Sequence, residues 1–145
     1  MNNNIELNFV PYQIALDMKL IGFNEPCFGS INKTSNSAYI PSKGGFFTNS
    51  SFKNDYTIPC PMYSQAFRFF REKYELSCII ELTDNSTYYY YDFTISDSKN
   101  RDYNDEDCFD SCKRIYDDRR FGKYEEAEIE CLKNLISLIK GKTNE

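Results

Sequence analysis

Histidine is absent from the 145 residues of this chain, and its absence excludes several kinds of chemistry. Ser-His and Cys-His catalysis, His-ligated metals and histidine pH switches all need an imidazole. A Cys-x-x-Cys pair is also missing, so a closed four-cysteine zinc site is not expected. The sequence therefore predicts no catalytic residues, no metal and no cofactor, and it favours a protein that is not an enzyme.

Long apolar runs and clustered basic charge are missing as well. No run approaches the length of a membrane span, so no membrane partner is expected. The start of the chain, MNNNIELNF, lacks the basic and apolar regions of a signal peptide, which predicts a cytoplasmic protein. The net charge of −5 disfavours nonspecific nucleic-acid binding. The expected partner is a protein or a small anionic ligand, and the sequence leaves a homo-oligomer open.

The six cysteines are expected to be reduced thiols, because nothing marks the chain for export. Cys108 and Cys112 are interpreted as two small, partly buried residues. The alternation of acidic and amide residues in 102-DYNDEDCFD-110 is similar to a calcium loop. However, Lys113 stands where a bidentate Glu should be, so a solvated acidic loop is predicted instead.

An internal duplication organises the chain, which has the length of one ordinary domain. Two stretches align without a gap at an offset of 51 residues, with these identities: Tyr12 and Tyr63, Ala15 and Ala66, Cys27 and Cys78, Tyr39 and Tyr90. Each copy has the pattern of a helix, a strand, a turn and a strand. We predict one domain over residues 1–145, divided into repeat 1 (about 9–40), a long loop (41–61), repeat 2 (about 62–95), a charged loop (96–120) and a C-terminal helix (about 124–140).

The hydrophobic periodicity indicates which faces are buried. One apolar stripe of the second helix is formed by Tyr63, Ala66, Phe67, Phe70 and Tyr74. In the strand 87-TYYYYDFTI-95, alternation places Tyr89, Tyr91, Phe93 and Ile95 on one face and Tyr88, Tyr90, Asp92 and Thr94 on the other. The predicted fold class is α+β, with an antiparallel sheet and helices packed on one face. Gly22 is the expected end of the first helix.

A Tyr-x-x-Ala motif begins all three predicted helices, the third at Tyr124 and Ala127. We interpret the motif structurally: the small Ala lets the helix approach a sheet, and the Tyr covers its first turn. A catalytic Tyr is less favoured, since nothing basic lies beside any of the three in sequence.

The candidate binding residues are basic and aromatic: Arg68, Arg71, Tyr88, Tyr90, Arg119 and Arg120. Such groups bind a flat anionic ligand by charge pairing and stacking. They also fit a solvated helix face and a half-covered sheet. The hydroxyl-rich, outward face of the strand at 87–95 is the expected docking place for a partner.

Two segments, 61-PMYSQAFRFFREKYEL-76 and 124-YEEAEIECLKNLISLI-139, resemble a group of small uncharacterised proteins of tailed phages and prophages of gut Bacteroidota. That family has the pattern Pro-x-Tyr-x-x-Ala, then Trp-Leu/Phe-Arg-Glu, a β segment and Tyr-Glu-Glu-Ala. This chain matches it at Pro61, Ala66, Phe70, Arg71, Glu72 and Tyr124–Ala127, but has Phe69 in place of the usual Trp. The resemblance covers the second half of the chain and implies a phage-encoded protein without implying an activity.

Three hypotheses about function follow. The first is a non-enzymatic accessory protein in the host cytosol, which binds a host or phage component and counters host defence. The second is a protein that binds or sequesters a nucleotide-like ligand. The third is a minor component of the virion.

Overall fold

The computed structural model describes residues 8–101, 112–116 and 119–143, with the side chains of 100–101, 112–116 and 143 left aside. Within these residues the fold is mixed α+β, and it ends in a helix as predicted. The calcium-like pattern and Cys108 lie outside the described residues.

The elements follow the predicted order, with two additional strands. In chain order they are α1 (Tyr12–Leu20), β1 (Gly29–Asn32), β2 (Ala38–Tyr39), β3 (Thr57–Cys60), α2 (Tyr63–Tyr74), β4 (Leu76–Asp84), β5 (Tyr89–Arg101), β6 (Cys112–Tyr116) and α3 (Tyr124–Thr143). The strands form two three-stranded antiparallel sheets where the sequence suggested one. The helix–strand–turn–strand order of each predicted repeat is present.

Both predicted loops contain strands, so the loop assignment is wrong at these places. β3 lies inside the segment 41–61, and β5 extends to Arg101 while β6 lies within 96–120. Pro59 interrupts the β pattern of β3, and Pro lacks the N–H that a central strand needs. The sheet order β2-β1-β3 resolves this conflict, because β3 is an edge strand.

The chain forms two compact units, and the first comprises Met1–Ala66 and Ile136–Glu145. Its sheet packs with α1 around fully buried apolar side chains, among them Val10, Met18 and Ile58. Gly22 ends α1 as predicted: it has a positive φ of 96°, and the Phe23 N–H donates to the Met18 carbonyl at 2.9 Å.

Gly29 is required by a close contact in this unit. A Cβ at this position would lie 2.7 Å from Cε1 of Phe9, whose ring is buried. Gly29→Ala is therefore expected to destabilise the fold by about 1–3 kcal/mol, the usual cost of overpacking. Urea unfolding measures this, and Gly29→Ala combined with Phe9→Leu should recover part of the loss. A Gly29→Ala protein as stable as the wild type would contradict the contact.

The second unit comprises Phe67–Leu135 and contains the sheet β4-β5-β6. The predicted alternation in β5 is confirmed at its centre, where Phe93 and Ile95 are buried while Asp92 and Thr94 are partly exposed. Tyr89, assigned to the same face as Phe93, lies beyond the core and is exposed.

A disulfide links β4 to α3 in this unit, between Cys78 and Cys131. The prediction of reduced thiols is therefore wrong for this pair. Cys27 and Cys60 are free thiols buried in the first unit, and burial raises both of their pKa values, that of Cys27 to about 12. The duplication thus equates a free cysteine, Cys27, with a bonded one, Cys78.

The alanines of the three Tyr-x-x-Ala motifs are all buried, which agrees with the structural interpretation. Two of the tyrosines are buried as well. The third, Tyr124, is partly exposed and meets Tyr91 edge to face at 5.7 Å between ring centroids.

Candidate functional site

The second unit presents an open sheet face opposite its core. Because side chains alternate along a strand, the residues next to Tyr91 and Phe93 on β5 point away from the buried side. The register pairs Thr83 with Tyr90 and Glu81 with Asp92 across β4 and β5. The Thr83 hydroxyl donates to an Asp92 carboxylate oxygen at 3.2 Å. This face is polar and rich in hydroxyl groups, as predicted for the outward side.

Arg119 and Arg120 reach the sheet because the chain before α3 runs along β5. The N–H of Tyr91 donates to the Phe121 carbonyl at 2.8 Å, and the Phe121 N–H donates back to the Tyr91 carbonyl at 2.9 Å. An extended chain sends successive side chains to opposite faces. Arg120 therefore lies on the open face, whereas Arg119 and Phe121 lie on the side of α3.

Three predicted residues meet on the open face, and we call them the Tyr–Arg cluster: Tyr88, Tyr90 and Arg120. An Arg120 Nη1–H donates to the Tyr88 hydroxyl at 2.8 Å. Its guanidinium carbon lies 4.7 Å from the centroid of the Tyr90 ring, a cation–π contact. The two tyrosine rings are 6.0 Å apart. A hydrogen bond and a cation–π contact thus hold the Arg120 guanidinium over the Tyr90 ring and against the Tyr88 hydroxyl.

The electrostatics of the Tyr–Arg cluster follow from the hydrogen bond. The bond from Arg120 stabilises the phenolate and lowers the pKa of Tyr88, while the same bond raises the pKa of Arg120. Tyr88 keeps 48% of its surface exposed. The guanidinium has five N–H donors, and one of them is hydrogen-bonded to Tyr88. Donors therefore remain for an acceptor on a partner.

Arg119 belongs to a different environment on the side of α3. Its Nη1 lies 2.8 Å from a Glu130 carboxylate oxygen, and its guanidinium carbon lies 5.8 Å from the Phe121 ring centroid. The hydrogen bond from Lys133, with that from Arg119, lowers the pKa of Glu130. A shallow cavity of about 380 Å³ adjoins this ion pair, lined by Arg119, Phe121, Glu126, Ile129 and Glu130. Arg119 is thus engaged by its own chain and takes no part in the Tyr–Arg cluster.

The remaining predicted residues lie on α2. Arg68 lies 4.0 Å from Glu72 one turn later, and Arg71 lies exposed in the last turn of the helix. The structure therefore brings together Tyr88, Tyr90 and Arg120, and assigns the other three arginines to other surfaces. Sequence reasoning missed Phe121, which stacks on Phe93 at 6.0 Å and positions both neighbouring arginines. The available signal was the apolar Phe121 directly after Arg119 and Arg120, which predicts that the two arginines point to opposite sides of an extended chain.

Comparison with known proteins gives no family for this chain: no family model matches it, and no curated protein or solved structure matches it. Within the described residues, no helix is both long and apolar enough to cross a membrane. In the same part of the chain, no group of three or more acidic or cysteine side chains is placed to hold a metal ion.

Proposed function

We propose that this chain is a non-enzymatic binding protein, encoded by a tailed phage or prophage, whose Tyr–Arg cluster docks a protein of the host or the phage. The observation that carries the proposal is the exposed, preorganised contact of Arg120 with Tyr88 and Tyr90. Tyr and Arg are the residues most enriched among those that dominate binding energy at protein interfaces. The phage origin rests on the resemblance of the second half of the chain to phage proteins.

The composition of the open face supports a protein partner. Its hydroxyl groups and its carboxylates at Glu81 and Asp92 offer both donors and acceptors around the aromatic pair. Aromatic anchors bounded by polar groups are the usual anatomy of a non-obligate interface. An accessory role in the infected cell, such as countering host defence, would need only such an interface.

The experiment compares two neighbouring arginines. A photo-crosslinking residue at exposed Glu81, on the open face but outside the Tyr–Arg cluster, is expected to give a discrete adduct in infected cells. The same residue at exposed Gln13 on α1 should not give it. With the captured protein purified, Arg120→Ala should weaken binding roughly tenfold or more, the effect of removing an energetically dominant interface residue. Arg119→Ala is the matched control and should bind like the wild type.

A small anionic ligand is the second candidate, favoured by the free donors of Arg120 above the Tyr90 ring. A flat anionic compound such as a nucleotide would pair with the guanidinium and stack on an exposed ring. Thermal-shift titration separates the two candidates, because a bound ligand raises the melting temperature with its concentration. No shift with any nucleotide at saturation removes this candidate.

A further inference from the structure

An exposed aromatic turn in the first unit is not used by the proposed function. We define the aromatic turn as residues 41–47 with Phe28, Tyr39 and Ile40. Phe28 and Phe46 keep 53% and 61% of their surface exposed, although their ring centroids are only 4.7 Å apart. Large apolar side chains exposed together indicate an interaction surface.

The geometry makes this surface a projection. Gly44 and Gly45 have positive φ angles of 73° and 125°, and a Cβ at either would have no atom within 4 Å. The base is anchored, because Phe47 exchanges two backbone hydrogen bonds of 2.8 and 2.9 Å with Cys27. Phe46 therefore lies on a tip with solvent around it, held by a fixed base, and not in a groove.

The segment that carries the aromatic turn has a net charge opposite to that of the whole chain, and the first carboxylates on either side of it are Glu25 and Asp55. From residue 26 to residue 54 there is no carboxylate, but there are three lysines, Lys33, Lys43 and Lys53. All three are exposed, and among the described residues none of them pairs with a carboxylate. The chain's net charge of −5 thus divides into +3 here and −8 elsewhere.

We propose that the aromatic turn binds the surface of an anionic lipid bilayer. Apolar side chains on a projecting tip enter the boundary between headgroups and acyl chains, and lysines beside them are drawn to anionic headgroups. A projection fits a soft surface better than it fits a partner's flat face, and tyrosines such as Tyr39 suit the interface because they are amphipathic. A membrane span is not needed for such peripheral attachment, which is weak and reversible.

The test uses the absence of tryptophan from the chain. Phe46→Trp introduces a single tryptophan, which can be excited selectively over the 12 tyrosines of the chain. The position is exposed, so the change should not disturb folding. With phosphatidylglycerol-rich vesicles at low salt, its emission is expected to shift to the blue, and with phosphatidylcholine vesicles it should not. Tyr89→Trp, which places the tryptophan at an exposed position of the second unit outside the Tyr–Arg cluster, is the control and should not shift.

A second variant tests the attraction between the lysines and the anionic headgroups. Adding Lys43→Gln and Lys53→Gln to Phe46→Trp should lower the partition coefficient by at least roughly tenfold, since each lysine near an anionic surface contributes roughly fivefold. Phe28→Ser with Phe46→Ser should abolish co-sedimentation of the protein with the vesicles.

Three results would overturn the proposal. They are no shift with anionic vesicles, an equal shift with phosphatidylcholine, and an equal shift from Tyr89→Trp. An oligothymidine that changes the Phe46→Trp emission when vesicles do not would assign the turn to single-stranded nucleic acid instead, because aromatic rings with lysines also form stacking platforms for bases. The Tyr–Arg cluster is tested separately, with a purified protein partner.

Discussion

Opening the disulfide between Cys78 and Cys131 is expected to lower the free energy of unfolding by about 4 kcal/mol. The bond closes a loop with a sequence separation of 53 residues, and it joins β4 to α3. In the chain-entropy account, a loop of this length restricts the unfolded chain by about that amount. Urea unfolding of the wild type with and without a thiol reductant measures the difference.

The double variant Cys78→Ala with Cys131→Ala is the control for the reductant. Its stability should be low in either condition, and the reductant should lower it no further. Cys27 and Cys60 are free thiols, so their reduction state should not change. A wild-type protein whose unfolding midpoint does not respond to reductant would contradict the pairing. Because disulfides persist mainly in oxidising surroundings, the measurement also bears on the predicted cytoplasmic location.

Truncating Phe70 to Ala is expected to cost about 3–5 kcal/mol of stability. The side chain is completely buried on α2 and packs against the rings of Phe69 and Tyr74, at 5.4 and 6.2 Å between centroids. Removing a buried phenyl group loses its transfer free energy and leaves a cavity that the surroundings fill only in part. The midpoint of equilibrium unfolding in urea should fall accordingly.

Phe46→Ala is the matched control, because it makes the same chemical change at a largely exposed ring. Its effect should stay within about 0.5 kcal/mol, as for most surface substitutions. Equal losses from the two variants would contradict the assignment of Phe70 to the core and of Phe46 to the surface.

The helices and the order of elements could be predicted because their signal is local. The stripe that contains Ala127, Cys131 and Leu135 is visible in the sequence as a 3.6-residue period, and these residues are buried in α3. β3 was missed because Pro59 interrupts its pattern, and only the sheet order shows that an edge position tolerates it. The disulfide was not predicted because the sequence shows no export signal, which made reduced thiols the expectation for all six cysteines.

The candidate site could be predicted in part. Tyr88 and Tyr90 share a face by strand alternation alone, which is a local property. Arg120 joins them only because Phe121 bridges to Tyr91 and the chain turns back along β5. That contact is tertiary, so sequence patterns alone favour Arg68, Arg71 and Arg119 as strongly as Arg120. Arg119 shows the limit of prediction from sequence, because it is adjacent to Arg120 in the chain but is paired with Glu130 on the other side of the sheet.

The comparison of Arg120→Ala with Arg119→Ala tests the central claim most directly. Both changes remove one exposed guanidinium from neighbouring positions, so nonspecific charge effects should be nearly the same. Binding to the protein captured at Glu81 is measured by calorimetry with each purified variant. We predict a loss of roughly tenfold or more for Arg120→Ala and wild-type affinity for Arg119→Ala. Equal affinities for the two variants, or a greater loss from Arg119→Ala, would contradict the assignment of docking to the Tyr–Arg cluster.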